Sequence, residues 1–492
     1  MAGPQVIISL DPSGRAEECL TEKDTAVVWL RQDLRMGDQP ALAAAARTHK
    51  RLVPLYIWAP DDDGEWAPGA ASRWWLHDSL KSLRESLEVA GSGLILRKGE
   101  ALPSLLDVLK LSNASAVYWN VLYEPAARKR DEKIIRTLKK YGVEVCSFNG
   151  SLLSEPASIL NKSGTPYLVY GAYWKRFLAE QIGTPLPEVR KLPPLPASSK
   201  HLRSLTLADL ALKPKSAWDS GFTETWRVGE DAALKKLVSF CGGNIGDYAA
   251  SRDVPGCEGT SRLSPHLHFG EISPRQVWAA ARQHRGAGAS TYCKQLVWRE
   301  FSFYLLHHHP RIATEPLRLE FKDFPWKGTA SQLKAWQRGR TGYPIVDAGM
   351  RELWHTGWMH NRVRMIVASF LVKDLRIHWL KGAKWFWDTL VDANLANNTQ
   401  GWQWTSGCGA DASPFFRVFN PVLQGKKFDP NGVYVRRWVP EIARLPTSKI
   451  HAPWESGINL DYPKPIVDHG SARFAALKAY DDIKRIKRGG PR

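Results

Sequence analysis

One segment of the sequence gathers hydroxyl groups and a guanidinium immediately before a helical pattern. In EGTSRLSPHLHFGEISP, residues 258–274, the side chains of Thr260, Ser261, Arg262 and Ser264 lie close together along the chain. Hydroxyls, backbone N–H groups and a guanidinium at the start of a helix form a favourable cradle for an anion such as a phosphate. Serine and threonine also cap helices in proteins of every kind, so the segment alone is equally compatible with ordinary capping.

A second group of polar side chains falls on a helical pattern that begins near residue 361. Asn361 and Met365 are four positions apart and share a helix face, so an amide lies beside a soft apolar side chain. Arg364 lies on a neighbouring face and could form an ion pair with Asp392. Each residue is also compatible with an amphipathic core helix that carries one satisfied polar group, but their clustering favours a binding site.

Tryptophan is the outlier in the composition, with 22 residues against 16 phenylalanines and 14 tyrosines. Trp298 shares a helix face with Gln295, and Trp402 and Trp404 lie one residue apart in NNTQGWQWTSG. Indole packs against flat cofactors, stacks on nucleobases and is the most easily oxidised aromatic side chain. Core packing is the alternative, although packing alone rarely needs so many indoles.

Neither the cysteines nor the histidines form a metal-binding pattern. The six cysteines, at positions 19, 146, 241, 257, 293 and 408, include no CxxC pair. We therefore expect reduced intracellular thiols rather than a disulfide framework or a zinc site. His307, His308 and His309 are consecutive, and successive helical side chains point about 100° apart, so these three do not converge on one ion. No metal site is predicted.

The formal net charge of +19 favours a polyanionic partner, because each neutralised phosphate releases counterions. Nucleic acid is the leading candidate, ahead of an acidic protein or a membrane surface, and a soluble protein that is simply basic is the alternative. We find no apolar run of membrane-helix length and no signal-like apolar core near the N-terminus. We therefore expect a soluble, monomeric, intracellular protein without membrane association, located in the cytoplasm or, in a eukaryote, in the nucleus or an organelle.

Residues 25–150 alternate short apolar runs with helical patterns. The runs are AVVWL, RLVPLYIW, GLILR, SAVYW and VEVCSF. This alternation predicts an α/β domain with a parallel sheet covered by helices on both faces. The loop after the first run, RQDLRMGDQP, lacks GxGxxG, so a dinucleotide held by that fingerprint is not expected in this domain. We predict a flexible N-terminus over 1–24, an interdomain connector over 151–225 and an all-α domain over 226–492.

Several long motifs together resemble the DNA photolyase and cryptochrome family. They are VVWLRQDLRMGDQPAL, EGTSRLSP, QLVWREF, TGWMHNRVRM and DANLANNTQGWQWTSGCGADASPFFRVFNP, in order over residues 25–450. Within the family, the chain looks most like the class I cyclobutane pyrimidine dimer photolyases. The resemblance implies a Rossmann-like antenna domain and a large helical domain that holds FAD above a basic groove for DNA. It also implies the light-driven splitting of pyrimidine dimers by an electron from excited FADH⁻.

The resemblance implies two sets of FAD contacts. The phosphate and ribityl contacts are Tyr248, Thr260, Ser261, Arg262 and Ser264, which agrees with the anion cradle described above. The residues that line the isoalloxazine are Asn361, Arg364, Asp392, Asn394 and Asn398. Asn398 would face flavin N5, and the pair of Arg364 with Asp392 would help to hold a reduced, anionic flavin.

The resemblance also implies residues that bind the lesion and residues that carry electrons. The lesion contacts are Gln295, Trp298, Asn361, Met365 and Trp404. Trp326, Trp379 and Trp402 match the family's chain from the surface to oxidised FAD. We expect a locally extended segment in which alternation turns Trp404 to the substrate pocket and Trp402 toward the flavin.

A few positions favour one subclass of the family. Members that repair (6-4) photoproducts have two histidines where this chain has Asn361 and Met365. Plant-type cryptochromes have Asp opposite N5 and insect types have Cys, where this chain has Asn398. A blue-light photoreceptor and a photolyase of another lesion class are the alternatives to dimer repair. Gln295 departs from the pattern, because dimer photolyases usually have Glu there.

The resemblance further implies a second, antenna chromophore. Methenyltetrahydrofolate and 8-hydroxy-deazaflavin both occur in similar proteins. Glu124 and the segment ASRWWL are the residues that bear on the choice, and they do not decide between the two chromophores.

Overall fold

The computed structural model describes residues 23–214, 217–412 and 417–487. The predicted flexible segment 1–24 therefore lies outside the described residues, apart from its last two. A parallel sheet occupies the first part of the chain and helices occupy most of the rest. The predicted combination of an α/β part with an all-α part is confirmed.

Five parallel strands form the sheet, in the order β3-β2-β1-β4-β5. They are β1 Lys23–Leu30, β2 His49–Trp58, β3 Ile95–Lys98, β4 Ala116–Asn120 and β5 Glu144–Phe148. Each corresponds to one of the five apolar runs of the sequence. Helices cover both faces of the sheet, so the central strands are buried on both sides and have almost continuous apolar sequences.

Nineteen α-helices lie within the described residues. They are α1 Pro40–Thr48, α2 Ala70–Val89, α3 Ala101–Ser112, α4 Pro125–Lys140, α5 Tyr170–Phe177, α6 Ser220–Thr225, α7 Glu230–Gly243, α8 Tyr248–Ser251, α9 Ser264–Phe269, α10 Pro274–Arg282, α11 Ala287–His308, α12 Ala330–Gln337, α13 Pro344–Thr356, α14 Asn361–Ser369, α15 Trp379–Thr389, α16 Leu395–Ser406, α17 Pro421–Phe428, α18 Val433–Trp438 and α19 His469–Lys487. A π-helix, Phe370–Asp374, continues α14. None of the helices in the described ranges is long and apolar enough to cross a membrane.

The predicted connector, residues 151–225, is built into the fold along much of its length. It contains α5 and α6, and its middle part runs beside the sheet. The backbone N–H of Leu192 donates to the carbonyl of Ala90 at 2.8 Å, and that of Leu205 donates to the carbonyl of Leu96 at 3.1 Å. The boundaries at 150 and 225 remain predictions.

The loop that replaces a dinucleotide fingerprint after β1 joins the α/β part to the helical part. Arg35 donates to the carbonyl oxygen of Gly270 at 2.9 Å. Asp38 accepts from Arg275 at 3.0 Å, and Glu230 accepts from the backbone N–H groups of residues 36 and 37 at 2.6 and 2.8 Å. We call Arg35, Asp38, Glu230 and Arg275 the clamp. It brings two cations and two anions together across the boundary between the two parts, with Arg35 and Asp38 buried and the other two half-buried.

The two parts also share one hydrophobic core. Trp74 and Trp75 of α2 contact Phe222 and Trp226, each pair with ring centroids 5.3 Å apart. The helical part contributes Phe222, Trp226, Phe269, Trp358 and Val391 to this cluster. The sheet, its helices and the helical part are therefore packed as one body at this boundary.

Candidate functional site

An ion pair joins α14 to the segment that precedes α16. Arg364 donates to both carboxylate oxygens of Asp392, at 2.8 and 3.1 Å, and its Nε donates to the carbonyl of Met359 at 2.7 Å. Asp392 is buried, with 9% of its surface exposed. The pairing predicted from the sequence is confirmed, and it fixes a guanidinium at the junction of two helices.

The segment that contains Trp402 and Trp404 is helical, so the predicted extended conformation is wrong. Asn394 caps α16, and its side chain accepts from the backbone N–H of Asn397 at 3.1 Å. Because successive helical residues turn by about 100°, residues two apart still point to opposite sides. In the helix, Trp402 and Trp404 therefore point to opposite sides, as they would in an extended segment.

Trp402 lies in the core between α15 and α16. It is 2% exposed, its ring lies 5.0 Å from that of Phe386, and its Nε1 has no hydrogen-bond partner. Gly382 of α15 makes room for it: a methyl group there would lie 2.1 Å from Trp402 Cη2. The absent side chain at residue 382 is thus what allows the indole to approach α15.

Trp404 lies on the opposite side of α16, against an open cavity of about 610 Å³. Met365, Phe428, Arg362 and Lys427 also line this cavity. Arg362 lies over the ring of Phe428, with its Cζ 4.3 Å from the ring centroid. An indole and a thioether therefore face a basic, partly aromatic opening that suits an anionic strand with flat bases.

Trp298 projects from α11, and its ring is stacked on Tyr170 of α5. The two ring centroids are 3.7 Å apart and the planes differ by 8°. Trp298 remains half-exposed, as does Gln295 one turn earlier. One face of the indole is thus held in place by Tyr170. Gln295, Trp298 and Asn361 do not line the cavity of Trp404 and Met365.

The predicted anion cradle leads to the ion pair of Arg364 through Trp358. The indole Nε1 of Trp358 donates to Ser264 Oγ at 3.2 Å. Arg262 lies 4.8 Å and Arg364 5.9 Å from the Trp358 ring centroid. Residues from both predicted sets of FAD contacts therefore meet at the indole of Trp358, a residue that was not predicted from the sequence.

The remaining cradle residues are held by neighbouring tyrosines. Ser261 Oγ accepts from the hydroxyl of Tyr292 at 3.0 Å, and the Tyr292 ring lies 5.1 Å from that of Tyr248. Tyr248 is buried, whereas Thr260 is half-exposed beside Ser261. Four of these five side chains therefore form two groups: Tyr248 and Ser261 around Tyr292, and Arg262 and Ser264 around Trp358.

Asn398, in the second turn of α16, has a defined orientation. Its Nδ2 donates to the carbonyl of Ala383 on α15 at 3.0 Å. The carbonyl oxygen and the second N–H of this amide remain available to a ligand.

His360 is a second residue that was not predicted from the sequence. Its Nδ1 accepts from the N–H of Arg362 at 3.2 Å, while its Nε2 is buried without a hydrogen-bond partner. Burial lowers the pKa of His360 to about 4, so the imidazole is neutral near pH 7. Its place directly before Asn361 in MHNRVRM was the available signal.

Trp326, Trp379 and Trp402 lie along one side of α15. Trp379 is the first residue of that helix and is 1% exposed. The ring of His378 lies 5.0 Å from Trp326 and 5.8 Å from Trp379, so it connects the two indoles. Gly382, which contacts Trp402, is one helical turn beyond Trp379. The three indoles thus run from the half-exposed Trp326 into the core.

A separate cavity of about 380 Å³ lies between the α/β part and the helical part. Trp66 and Trp387 line it, with ring centroids 5.3 Å apart in an edge-to-face arrangement. Glu124 Oε2 and Trp66 Nε1 are buried there without hydrogen-bond partners. Burial raises the pKa of Glu124 above the ordinary value of a carboxyl group. This cavity combines apolar rings with polar atoms that still need a partner.

This interdomain cavity borders the site of the ion pair. Ala393 and Leu395 line it, and they alternate along the chain with Asp392 and Asn394. Within the described ranges, we find no group of three or more His, Cys, Asp or Glu side chains that could hold a metal ion.

Comparison with known proteins assigns a family to both parts of the chain. The family model for the FAD binding domain of DNA photolyase matches residues 292–482, and the model for DNA photolyase matches residues 26–194. The chain is 45% identical to the deoxyribodipyrimidine photo-lyase of Agrobacterium fabrum, over 93% of this chain and 98% of that protein. It is 42% identical to Cryptochrome-2 of Arabidopsis thaliana, over 92% of this chain and 78% of that protein.

A solved structure shows the same fold. The crystal structure of a bacterial class III photolyase from Agrobacterium tumefaciens superimposes with a TM-score of 0.89 at 44% sequence identity. The match covers 96% of this chain and all of that one.

Proposed function

Because this chain belongs to the DNA photolyase and cryptochrome family, we propose that it is a light-driven repair enzyme that splits cyclobutane pyrimidine dimers in DNA. The observation that carries the proposal is the opening between Trp404, Met365 and Arg362, which borders the helix of the Arg364–Asp392 pair. A flat, anionic substrate and a flavin can thus be held on the two sides of α14 and α16.

FAD is the cofactor that this proposal requires, and it supplies one-electron chemistry when it absorbs light. The buried, unpartnered Nε2 of His360 and Nε1 of Trp402 support a polar ligand between α14, α15 and α16. Arg262 and the hydroxyls of Ser261 and Ser264 would hold the phosphates. Arg364, fixed by Asp392, would place positive charge beside the ring system, and Asn398 would present its carbonyl oxygen.

The lesion would be held by stacking and by a few hydrogen bonds. A pyrimidine dimer is poorly paired and stacked, so turning it out of the helix costs less than extruding intact bases. Trp298, supported from behind by Tyr170, and Trp404 would each offer one indole face. Met365 would fill the apolar gap, and Gln295 and Asn361 would bond the polar edges of the pyrimidines.

Trp326, Trp379 and Trp402 would supply electrons to oxidised FAD. Their arrangement along α15 supports this role, because the His378 ring links the half-exposed Trp326 to the buried Trp379, and Trp402 lies further inside the core. Replacing Trp402 with Phe is expected to block photoreduction of oxidised FAD while chemically reduced enzyme still repairs dimers. Absorption spectra under illumination and a repair assay measure the two effects, and equal loss of both activities would contradict the assignment.

We assign the interdomain cavity to the antenna chromophore. Its size suits an aromatic ring system, since ligand cavities usually measure about 300–1,000 Å³. The carboxyl group of Glu124, whose Oε2 has no hydrogen-bond partner among the described residues, can accept from a heterocycle edge, and it can also donate when it is protonated. Separate reconstitution with methenyltetrahydrofolate and with 8-hydroxy-deazaflavin, followed by excitation-energy transfer to FAD, identifies the chromophore. A Glu124→Leu variant that binds both as well as the wild type would contradict the assignment.

A blue-light photoreceptor without repair activity is the second candidate, because the identity to Cryptochrome-2 of Arabidopsis thaliana is nearly as high. The subclass among photolyases also stays a proposal: the motifs look most like class I, whereas the solved relative is a class III enzyme. The Asn398 amide favours repair over signalling.

One experiment separates these functions. The purified protein with FAD is incubated with an oligonucleotide that contains one cyclobutane dimer, in blue light and in darkness. Dimer repair is expected only in light, and the Trp404→Ala variant serves as the lesion-binding control. A flavin-containing protein that leaves the dimer intact under light supports the photoreceptor instead, and a protein without flavin absorption bands rules out both functions.

A further inference from the structure

A groove of about 380 Å³ lies apart from both cavities described above. It is formed by the C-terminal half of α5, by α10 and by the start of α11. Its lining includes Trp174, Leu178, Trp278, Arg282, Arg285 and Cys293. We call it the α5–α10 groove. None of these residues belongs to the predicted FAD, lesion or electron-transfer sets.

Two half-exposed indoles form the walls of this groove. Trp174 and Trp278 both contact the buried ring of Phe177, at centroid distances of 6.5 and 6.0 Å. Leu178 beside them is 55% exposed. Indoles that served only the core would be covered on both faces, so their open faces offer a surface for a flat group.

The rim of the groove is strongly basic. Arg282 and Arg285 are exposed, and in the described part of the chain neither forms an ion pair with a carboxylate. The Arg282 guanidinium lies 5.9 Å from the Trp278 ring centroid. Among the described residues, the other titratable groups that line the groove are His284 and Cys293. Positive charge without a protein counterion, placed next to stacking surfaces, is the combination that binds unpaired nucleic acid.

An aromatic stack connects the groove to the proposed lesion pocket. Trp298 stacks on Tyr170, and Tyr170 in turn lies 6.4 Å from Trp174 with the planes 24° apart. Ser290, at the groove, precedes Trp298 by two helical turns of α11, which is about 12 Å. Lys294 lies between them on the same helix and is exposed. At the duplex spacing of about 3.4 Å per nucleotide, this distance corresponds to at most roughly three to four nucleotides, and to fewer in an extended single strand.

We propose that the α5–α10 groove binds an unpaired nucleotide of the damaged strand, at most roughly three to four positions from the lesion. The base stacks on Trp174 and Trp278, and the neighbouring phosphates contact Arg282 and Arg285. The base must be unpaired because its face is covered in a duplex, so the groove favours single-stranded damaged DNA. This inference rests on the proposed repair function, since the lesion fixes the position of the strand.

The test uses the FAD-loaded, full-length protein in darkness and two single-stranded oligonucleotides that carry one dimer. One has six flanking nucleotides on each side and the other has a single nucleotide on each side. Dissociation constants from fluorescence anisotropy are compared for the wild type, for the double variant Trp174→Ala/Trp278→Ala, and for Trp354→Ala. Trp354 is an exposed indole that does not line the groove and is stacked on Trp385, and it serves as the matched control.

We expect the double variant to bind the long oligonucleotide about ten- to a hundredfold more weakly, and the short one as tightly as the wild type. The control should match the wild type on both. The variant Arg282→Gln/Arg285→Gln, which leaves the aromatic packing intact, should reduce the salt dependence on the long strand by about 0.7 for each phosphate that is no longer neutralised. Equal loss on both strands would mean that the indoles act only by supporting Tyr170 and Trp298, and this result overturns the proposal, as does no loss on either.

Failure of the repair function gives a different result. In that case, the wild type binds damaged and undamaged strands equally and does not repair under light. If the wild type still binds the long strand more tightly than the short one, and Trp174→Ala/Trp278→Ala removes this difference, the result would support the groove as a single-strand site by itself.

Discussion

The clamp and the site around Arg364 are both buried and polar, but only the clamp satisfies its own hydrogen bonds. Arg35 donates to four backbone carbonyls, and both carboxylate oxygens of Asp38 accept from Arg275. Near Arg364, by contrast, His360 Nε2 and Trp402 Nε1 have no hydrogen-bond partner among the residues that the structure describes. An unpaired buried polar atom costs about 1–3 kcal/mol. A closed network therefore indicates a structural role, and an open one indicates a place for a ligand.

The largest effect is expected in the clamp. Arg35→Ala leaves the four backbone carbonyls that accept from Arg35 buried without their donor, which should lower the free energy of unfolding by about 3–5 kcal/mol. Denaturant unfolding of the protein with and without FAD measures this loss, and we expect it to be equal in both. The control is Arg47→Ala, at an exposed residue, for which we expect little change in the free energy of unfolding. If adding FAD restored the stability of Arg35→Ala, the clamp would belong to the cofactor site and would no longer differ in role from the site around Arg364.

The second prediction concerns the indoles that face the lesion. Trp298→Ala and Trp404→Ala should each weaken binding of a dimer-containing oligonucleotide by about 1–3 kcal/mol, roughly ten- to a hundredfold. Affinity for undamaged DNA should change much less, since phosphate contacts dominate it. Binding titrations with both oligonucleotides give the two values. Wild-type affinity for the dimer in both variants would show that these indoles lie outside the lesion pocket.

A matched pair of glycine variants tests the packing of Trp402. In Gly382→Ala, the new methyl group would lie 2.1 Å from Trp402 Cη2, so the indole must move; we expect a loss of about 1–3 kcal/mol in stability and slower photoreduction of FAD. Gly401→Ala, directly before Trp402, meets no atom within 4 Å and should stabilise α16 by about 0.5–1 kcal/mol. Thermal melting and flash photolysis measure both. Identical behaviour of the two variants would contradict the role of the contact at residue 382.

The smallest effect is expected at Gln295. Its amide is only half-buried, so Gln295→Ala should cost about 0.5–1.5 kcal/mol in dimer affinity. The amide donates and accepts at any pH, whereas a carboxylate only accepts until it is protonated. Gln295→Glu should therefore retain repair but add a pH dependence that the wild type lacks. Profiles of affinity and repair yield between pH 6 and 8 test this; full wild-type values for Gln295→Ala would show that the side chain does not contact the lesion.

Elements with a strong local signal were predictable from the sequence. Buried parallel strands have continuous apolar sequences, which is why all five strands were found. The ion pair of Arg364 with Asp392 was also found, although its residues are 28 positions apart. The residue types that hold phosphates are specific enough to indicate the cradle. They do not indicate Trp358, which contacts both the cradle and the ion pair.

The helical conformation of α16 was misjudged because a pair of residues two apart fits both an extended and a helical segment. The cap at Asn394 decides between them, and asparagine at that position was visible in the sequence. The stack of Tyr170 on Trp298 was not predictable by such means. It joins residues 128 positions apart and depends on how α5 packs against α11. The clamp was not predictable for the same reason, since its four charged residues come from three distant segments.

The shared core has a consequence for the order in which the chain folds during synthesis. The sheet is complete at Phe148, but Trp74 and Trp75 are covered by residues that extend to Val391. At about 5–20 residues per second, the ribosome needs roughly 10–50 s to add that interval. During this time, the indoles of α2 lack their final partners, and the nascent α/β part exposes apolar surface to solvent. Chaperone binding to stalled nascent chains should therefore persist until residue 391 has left the exit tunnel.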